Sequence, residues 1–478
     1  MRWLVGFFAA LALVAAGCGG TTSTTATSSD IIPASAPLFV AIDTDFDSPQ
    51  WQALDSLAAK FPDRQKGVDS LKQQLKDEGL DWDVDLKHAL GPELDIVMLD
   101  FAHPDEAVGL MQPADEGAFK RAVEKGNAND PSNKLLYETF RGWTVMSDKQ
   151  SAIDAFKRAS DSAKETLAAD ETFNGAMDKT GDGVVRAYVN GPKATAAAER
   201  FAGPSGVHAL SKLGTLDWLT TALKAKSDGL GWDFIVHGTP GKQLHSSSAG
   251  QSDGSLQESV PKNALLYFAF HGTKGMFDGL ISPALVPPGM EHLDEILREL
   301  GRILDGENAF YVRSSGGGPY PEATFIATPP QGVDGAAILD GVLSRFAGNV
   351  GGKPRHTTIA GVPVSVVGKG PLALMYGNVK GKLVVTDVTE GLSFAQNGGD
   401  TLSQSDEFAQ ATKGSGAPDK RQVALYIDIH STIPAVERLE GMHLPEGIRR
   451  NLTPLRSALE YSVLRSHELK VSVFLRIQ

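Results

Sequence analysis

Three aspartates at alternate positions, Asp43, Asp45 and Asp47, are the candidates in this sequence for a metal site. In an extended strand they would share one face, where their negative charges repel one another unless a cation such as Ca²⁺ offsets them. An EF-hand is ruled out, because Ser48 stands at the glycine position and Leu54 at the position of the bidentate glutamate. In the alternative interpretation, the strand ends near Asp43, Asp45 lies in a loop and Asp47 or Ser48 caps a helix.

Cys18 is the only cysteine among 478 residues, and it follows an apolar run at positions 3–16. A basic residue before such a run and small residues after it are typical of an export signal. As a helix the run would span about 21 Å, against roughly 30 Å for a bilayer core, which disfavours a permanent anchor. The segment resembles a bacterial lipobox, although Ala15 stands where leucine is preferred, so Cys18 is predicted to carry a lipid. A secretory signal cut after Ala16 or Gly17 and an uncleaved anchor are the alternatives.

Motifs for catalysis and cofactor binding find no supporting context in the sequence. A GxSxG pattern occurs at residues 250–254, but it lies in a Gly/Ser-rich stretch and not at the strand-to-helix turn of a hydrolase elbow. The eleven histidines form neither HExxH nor a cluster with metal-ligand spacing. The glycines before Lys353 lack the first glycine and the Ser/Thr of a phosphate loop, since Ala347 and Pro354 stand there. Residues 178–183 imitate a calcium loop, but a turn between a helix and a strand is predicted. We therefore expect no enzyme activity and no cofactor.

Composition limits the partners of this chain. The net charge of −13 argues against a nucleic-acid partner, because phosphate binding needs a basic face. An acidic body is not attracted to an anionic membrane either, so the N-terminal lipid would supply the membrane attachment. A chain with no cysteine after position 18 forms no internal disulfide, and its stability must come from buried apolar area. The remaining partner is an envelope protein or a small ligand of unknown identity.

The chain is predicted to contain two related halves. Six sequence blocks recur in the same order at offsets of 228 to 239 residues; for example, Lys380-Gly381 repeats Arg141-Gly142, and Tyr426 repeats Tyr188. The predicted fold is α+β, with two duplicated units that each carry a largely antiparallel sheet with helices packed on it. The predicted segments are a signal peptide (1–18), a flexible Gly/Thr/Ser tether (19–32), a first repeat (33–238), a Gly/Ser-rich linker (239–260) and a second repeat (261–478).

The elements that must position any site follow from hydrophobic periodicity. A strand is predicted at Leu38–Asp43, a helix beginning at Pro49, a hairpin across Arg141-Gly142, and a helical region that ends near Lys226. A final strand of the first half is predicted to end at His237, in the core or at an edge. Core packing is the interpretation favoured over an aromatic-lined groove for five tryptophans of this half: Trp51, Trp82, Trp143, Trp218 and Trp232.

Three motifs carry a resemblance to a known family. DTDFDSPQW at residues 43–51 follows a strand, and LGPE at 90–93 and FRG at 140–142 each precede one. The chain resembles the bacterial extracytoplasmic family named domain of unknown function 3352 over most of residues 33–478. The resemblance implies localisation outside the cytoplasm, often with a lipid or membrane anchor. It implies no activity and no functional residues.

Together these observations predict an exported lipoprotein of the cell envelope that is anchored to the membrane and faces the extracytoplasmic side. Its predicted role is non-enzymatic, either binding a ligand or supporting an assembly. One alternative is a carrier of a hydrophobic small molecule in the envelope. The other is an extracytoplasmic hydrolase whose residues come together only in the fold.

Overall fold

The structure is a computed structural model that describes residues 27–201, 214–239, 250–273, 293–314, 320–347, 352–370, 373–441 and 443–478. Cys18, the predicted signal peptide and the first part of the predicted tether lie outside these residues. The chain forms two compact units: unit 1 is Met1–Thr239 with Ile477–Gln478, and unit 2 is Pro240–Arg476. Among the described residues, no helix combines the length and the apolar character needed to cross a membrane.

Unit 1 is an antiparallel sheet with helices on it. Its strands pair in the order β8-β7-β6-β1-β2-β3-β5-β4. The strands are β1 Leu38–Asp43, β2 Glu93–Met98, β3 Val108–Met111, β4 Leu136–Phe140, β5 Trp143–Ser147, β6 Val185–Asn190, β7 Trp218–Lys226 and β8 Gly229–His237. The helices with fully described bounds are Pro49–Ala58, Arg64–Asp77, Glu116–Asn129, Gln150–Ser162 and Glu171–Thr180.

Both faces of this sheet are covered, because successive strand residues point to opposite sides. One face places Phe39 and Val97 in a core with Phe156 and Phe173 from the helices Gln150–Ser162 and Glu171–Thr180. The other face forms a second core against the helix Glu116–Asn129; its members include Leu94, Met111, Phe119, Val123 and Met146.

The strands of unit 2 pair antiparallel in the order β17-β16-β9-β10-β11-β15-β14-β13-β12. Apart from the hairpin β12–β13, this is the pairing order of β7 to β4 in unit 1. The strands are β9 Ala264–Gly272, β10 Gly306–Arg313, β11 Glu322–Ala327, β12 Arg355–Ile359, β13 Val362–Val367, β14 Leu374–Val379, β15 Lys382–Thr386, β16 Val423–Asp428, β17 Leu455–Arg465 and β18 Glu468–Ile477. The helices are Leu293–Leu304, Gly335–Arg345, Thr389–Asn397, Asp406–Ser415, Ile429–Glu440 and Glu446–Leu452.

The hairpin predicted at Arg141-Gly142 is confirmed, and unit 2 repeats its geometry. Arg141 and Gly142 have φ values of 50° and 84°, and Lys380 and Gly381 have 49° and 80°. Two successive positive φ angles are typical of the type I′ turn, whose twist matches that of paired strands. The second position is glycine in both turns because this conformation is strained for a residue with a Cβ.

The predicted helical region ending near Lys226 is partly wrong, since Trp218–Lys226 is strand β7. Its buried residues alternate at Trp218, Thr220 and Ala222, which is the two-residue period of a strand between two neighbours. Pairing with β6 and β8 fixes this conformation. Short apolar runs are ambiguous between helix and strand until those partners are known.

The predicted tether and linker are both too long at their C-terminal ends. Ile31 and Ile32 are buried in unit 1, and the amide of Leu167 donates to the Ile32 carbonyl at 2.8 Å. In unit 2, Val260 is buried and its carbonyl accepts from the amide of Leu402 at 2.8 Å. Residues 27–32 and 250–260 therefore belong to the folded units. Moving their apolar side chains from water into a core lowers the free energy of the folded state.

Candidate functional site

An open groove of about 530 Å³ lies on unit 1, between the helix Glu171–Thr180 and the ends of β6, β7 and β8. Its volume falls within the range usual for small-molecule sites. The side chains around it combine carboxylates, an ammonium, an aromatic pair and hydroxyls. The lining residues are Asp170, Glu171, Thr172, Gly175, Lys179, Tyr188, Asn190, Pro192, Asp217, Trp218 and His237.

The helix contributes one face to the groove. Asp170 caps its N-terminus by accepting hydrogen bonds from the amides of Thr172 at 2.8 Å and Phe173 at 3.3 Å. Thr172, Gly175 and Lys179 follow at spacings of three and four residues, which places them on the same side of the helix. A Cβ on Gly175 would meet no described atom within 4 Å, so the missing side chain leaves room in the groove.

The strands contribute three residues in one row across the sheet. Trp218 pairs with Asn190 of β6 on one side and with His237 of β8 on the other. The rings of Trp218 and His237 stack with centroids 5.1 Å apart and planes 7° apart. The Lys179 ammonium lies 5.5 Å from the Trp218 ring centroid, a cation–π distance.

Electrostatics orient the polar groups of the groove. His237 is joined to Asp217, with Nδ1 3.0 Å from Oδ2; since a carboxylate only accepts, the imidazole donates from Nδ1. Burial, reinforced by the negative charge of Asp170, raises the pKa of Tyr188 to about 12. The Tyr188 phenol is therefore neutral at physiological pH and acts as a hydrogen-bonding group.

The corresponding place in unit 2 is occupied by side chains of the chain itself. Glu407 and Gln410 lie 235 residues after Thr172 and Gly175, in the helix Asp406–Ser415. Arg476 Nη1 donates to Glu407 Oε2 at 2.6 Å, and Arg476 also bonds to the Gln410 side chain. The Arg476 side chain is only 7% exposed, so its guanidinium is held inside a carboxylate and amide cradle.

The strand register supports this correspondence. In unit 1, Asn190 at the end of β6 pairs with Trp218, and in unit 2, Asp428 at the end of β16 pairs with Ser457. Ser457 lies 239 residues after Trp218, as Arg476 does after His237. The Ser457 hydroxyl donates to Glu407 Oε1 at 2.7 Å, and Arg456 Nε lies 3.7 Å from Glu407 Oε2. One position in the fold thus holds a groove in unit 1 and an ionic network in unit 2.

The predicted metal candidates act as hydrogen-bond acceptors in a loop and a helix start. Strand β1 ends at Asp43, which accepts from the amide of Asp45 at 2.9 Å and from the Ser48 hydroxyl at 2.5 Å. Asp45 accepts from the amide of Asp47 at 3.0 Å, and Ser48, not Asp47, caps the helix. Burial raises the pKa of Asp43 to about 6. In the described part of the chain, no three His, Cys, Asp or Glu side chains group to hold a metal.

The tryptophans divide between the two interpretations given for them. Trp51, Trp82 and Trp143 are buried in the cores of unit 1, whereas Trp232 is 49% exposed. Trp218 is buried at the groove. Sequence analysis overlooked Asp217 and Lys179 and placed His237 only at the end of a strand. The available sequence signal for the groove was that the helix Glu171–Thr180 has Gly175 where the matched helix of unit 2 has Gln410.

Comparisons with known proteins add little. No family model matches the chain, and no curated protein does. Among solved structures, "Structure of crystal form IV of TP0453" matches at 16% identity with a TM-score of 0.27, covering 45% of this chain and 79% of that one. "Structure of crystal form III of TP0453" matches at 14% identity with a TM-score of 0.26, covering 46% and 92%. These scores carry no argument, and the resemblance to domain of unknown function 3352 stays a prediction.

Proposed function

We propose that this protein is a membrane-tethered envelope lipoprotein whose unit 1 binds a small polar ligand in the groove beside Trp218 and His237. The observation that carries the proposal is the contrast at one place in the fold. Unit 2 fills it with Arg476 and Glu407, whereas unit 1 has the smaller His237 and Thr172 at those two positions and an open volume of about 530 Å³. Unit 2 would then be the structural counterpart of the binding unit.

The two units descend from one duplicated domain in this proposal. Support comes from the shared strand order, the paired type I′ turns and matching aromatic clusters. Phe173 contacts Phe39 and Tyr188 edge to face in unit 1, with centroids 5.4 and 5.1 Å away. Phe408 contacts Tyr267 and Tyr426 in unit 2, at 6.0 and 5.0 Å. After duplication, one copy could keep an internal ion pair while the other gained a ligand.

The ligand-binding role is tested by native mass spectrometry of the full chain purified from membranes. Wild type is expected to carry a small adduct that is absent from Gly175→Leu, whose longer apolar side chain enters the groove. Gly67→Leu is the matched control, since a Cβ on Gly67 also meets no described atom within 4 Å, in a helix that does not line the groove. The same adduct on all three forms, or none on wild type, would contradict the role.

The membrane attachment is tested separately through Cys18. Wild type is expected in the membrane fraction and Cys18→Ser in the soluble extracytoplasmic fraction, because an acyl chain supplies about 0.8 kcal/mol for each buried CH₂. Mass spectrometry of the wild-type N-terminal peptide should find the acyl group on Cys18. Equal membrane association of the two forms would refute the lipid anchor and favour one of the alternative signals.

A carrier of a hydrophobic small molecule is the second candidate, and one cavity favours it. An apolar cavity of about 40 Å³ lies in the second core of unit 1, bounded by Leu86, Leu94, Phe119 and Met146 among others. This space suits a few heavy atoms, so a lipid chain would need the core to open. Organic extraction of the purified chain, followed by mass spectrometry, tests the candidate; no extracted apolar molecule would count against it.

The hydrolase alternative has less support from the groove. The Asp217–His237 pair resembles the base half of a catalytic triad, but the described lining contains neither serine nor cysteine. The hydroxyls available there belong to Thr172 and Tyr188, and the raised pKa of Tyr188 makes its phenol a poor nucleophile. We therefore place ligand binding before hydrolysis.

A further inference from the structure

Cations of the chain itself lie at the matched place in both units. In unit 2, the Arg476 guanidinium is bound by Glu407 and Gln410. In unit 1, the exposed side chain of Lys179 places its ammonium over the Trp218 ring. A carboxylate, an amide and an indole face are all groups that stabilise a positive charge. The common chemistry of this position is therefore attraction for a cation.

The charges around the unit 1 groove have the same sign. Three carboxylates line it, from Asp170, Glu171 and Asp217, against the single ammonium of Lys179. In unit 2, Arg456 and Arg476 both lie beside the carboxylate of Glu407. Unit 2 thus supplies its own cations, whereas unit 1 has an excess of negative charge around an open volume. An anionic ligand would meet repulsion there.

The unit 1 groove has room for a cationic group at the place that Arg476 fills in unit 2. Where unit 2 has Arg476, unit 1 has the shorter His237, and where unit 2 has Gln410, unit 1 has Gly175. We propose that the groove binds a small ligand through a guanidinium or primary ammonium group, which takes the place that Arg476 fills in unit 2. This inference rests on the proposed ligand-binding role of the groove. The flexible side chain of Lys179 competes with the ligand for the indole face.

Isothermal titration of the full chain tests this inference, with agmatine as the cationic probe, inorganic phosphate as the anionic one and methyl α-glucoside as the neutral one. Agmatine is expected to bind saturably, and at least threefold more weakly in 300 mM than in 50 mM NaCl, because salt screens the carboxylates. Gly175→Leu, which fills the groove without adding a hydrogen-bond acceptor, should weaken it at least tenfold, and Gly67→Leu should not.

The Lys179→Ala variant makes the test specific to charge. Removing the competing ammonium should tighten agmatine binding about three- to tenfold. Lys413→Ala, the same charge change on the unit 2 helix, should leave it unchanged. The Asp217→Asn variant should weaken it at least threefold.

Three results would overturn the inference. Binding of phosphate or glucoside but not agmatine, abolished by Gly175→Leu, would refute the cationic ligand and leave the groove a binding site. Agmatine binding unaffected by Gly175→Leu would place the cation elsewhere. No agmatine binding to either wild type or Lys179→Ala would refute the cationic class, while the adduct comparison by native mass spectrometry still decides whether the groove binds a ligand.

Discussion

The helix Glu171–Thr180 of unit 1 and the helix Asp406–Ser415 of unit 2 occupy matched places and differ in what faces them. Each begins at a side-chain cap, Asp170 or Ser405, and each packs a phenylalanine into an aromatic cluster. The inner, apolar sides of the two helices are alike. Their polar sides differ, with an open groove in one unit and a buried ionic network in the other.

This difference separates two uses of the same fold. A buried guanidinium is costly unless it is paired, and Glu407 and Gln410 accept hydrogen bonds from Nη1 and Nη2 of Arg476. Unit 1 avoids that cost with short side chains at Thr172 and Gly175 and leaves the position open to a ligand. The aromatic clusters would then support both units equally, whereas the groove and the network are specific to one unit each.

The largest expected effect on stability concerns the aromatic clusters, which both units contain. Phe173→Ala and Phe408→Ala should each destabilise their unit by about 3–5 kcal/mol, because each removes a buried ring and leaves a cavity. Urea unfolding followed by circular dichroism measures both. Costs that differ by more than about 2 kcal/mol would show that the clusters are not equivalent and would weaken the duplication.

The next largest effect on stability concerns the ionic network around Glu407, which is specific to unit 2. Glu407→Ala should cost about 2–3 kcal/mol, since it leaves the Arg476 guanidinium, 7% exposed, without its carboxylate. Thr172→Ala, the matched change in unit 1, should alter the free energy of unfolding by less than about 0.5 kcal/mol. Equal costs in urea unfolding would mean that the network contributes no more than the groove.

The buried acid Asp95 of unit 1 has no acidic counterpart at the matched strand position of unit 2. Asp95 of β2 is fully buried beside Ser28, and burial, reinforced by Glu93, raises its pKa well above the ordinary value. The matched residue, by its pairing with Ala269, is Ala309. Because the folded state binds the proton more tightly, this contribution to stability is complete at acidic pH and is lost as pH rises through the folded pKa.

Asp95→Asn should therefore remove that pH dependence and stabilise the protein at pH 8 by about 1 kcal/mol. Melting temperatures of wild type and variant from pH 4 to pH 8 measure the effect. The two curves should converge at the acidic end and separate towards pH 8. Parallel curves would show that Asp95 is ionised in the folded state or does not titrate there.

The smallest expected effect on stability separates binding from folding. Gly175→Leu should stabilise unit 1 by roughly 0.5 kcal/mol, because leucine is the better helix former and a Cβ meets no described atom there. The same change should weaken ligand binding at least tenfold. A melting temperature that falls by several degrees would mean that Gly175 is required for packing.

Sequence analysis predicted the local elements well where periodicity and turn chemistry agreed. Strand β1 has the predicted bounds, the helix begins at Pro49 as predicted, and the Arg141-Gly142 hairpin is confirmed. Residues 218–226 were wrongly assigned because an isolated apolar run fits a helix as well as a strand. The predicted C-terminal ends of the tether and the linker were wrong, because Ile32 and Val260 are buried by residues distant in the chain.

The sequence by itself determined the α+β class and the antiparallel hairpins, since these depend on short-range patterns. Only the tertiary structure decided which side chains meet at the matched helices. Asp217, Lys179 and His237 come together because three strand ends and one helix converge, and Arg476 reaches Glu407 across 69 residues of chain. Contacts of this kind depend on strand register, which no local pattern encodes.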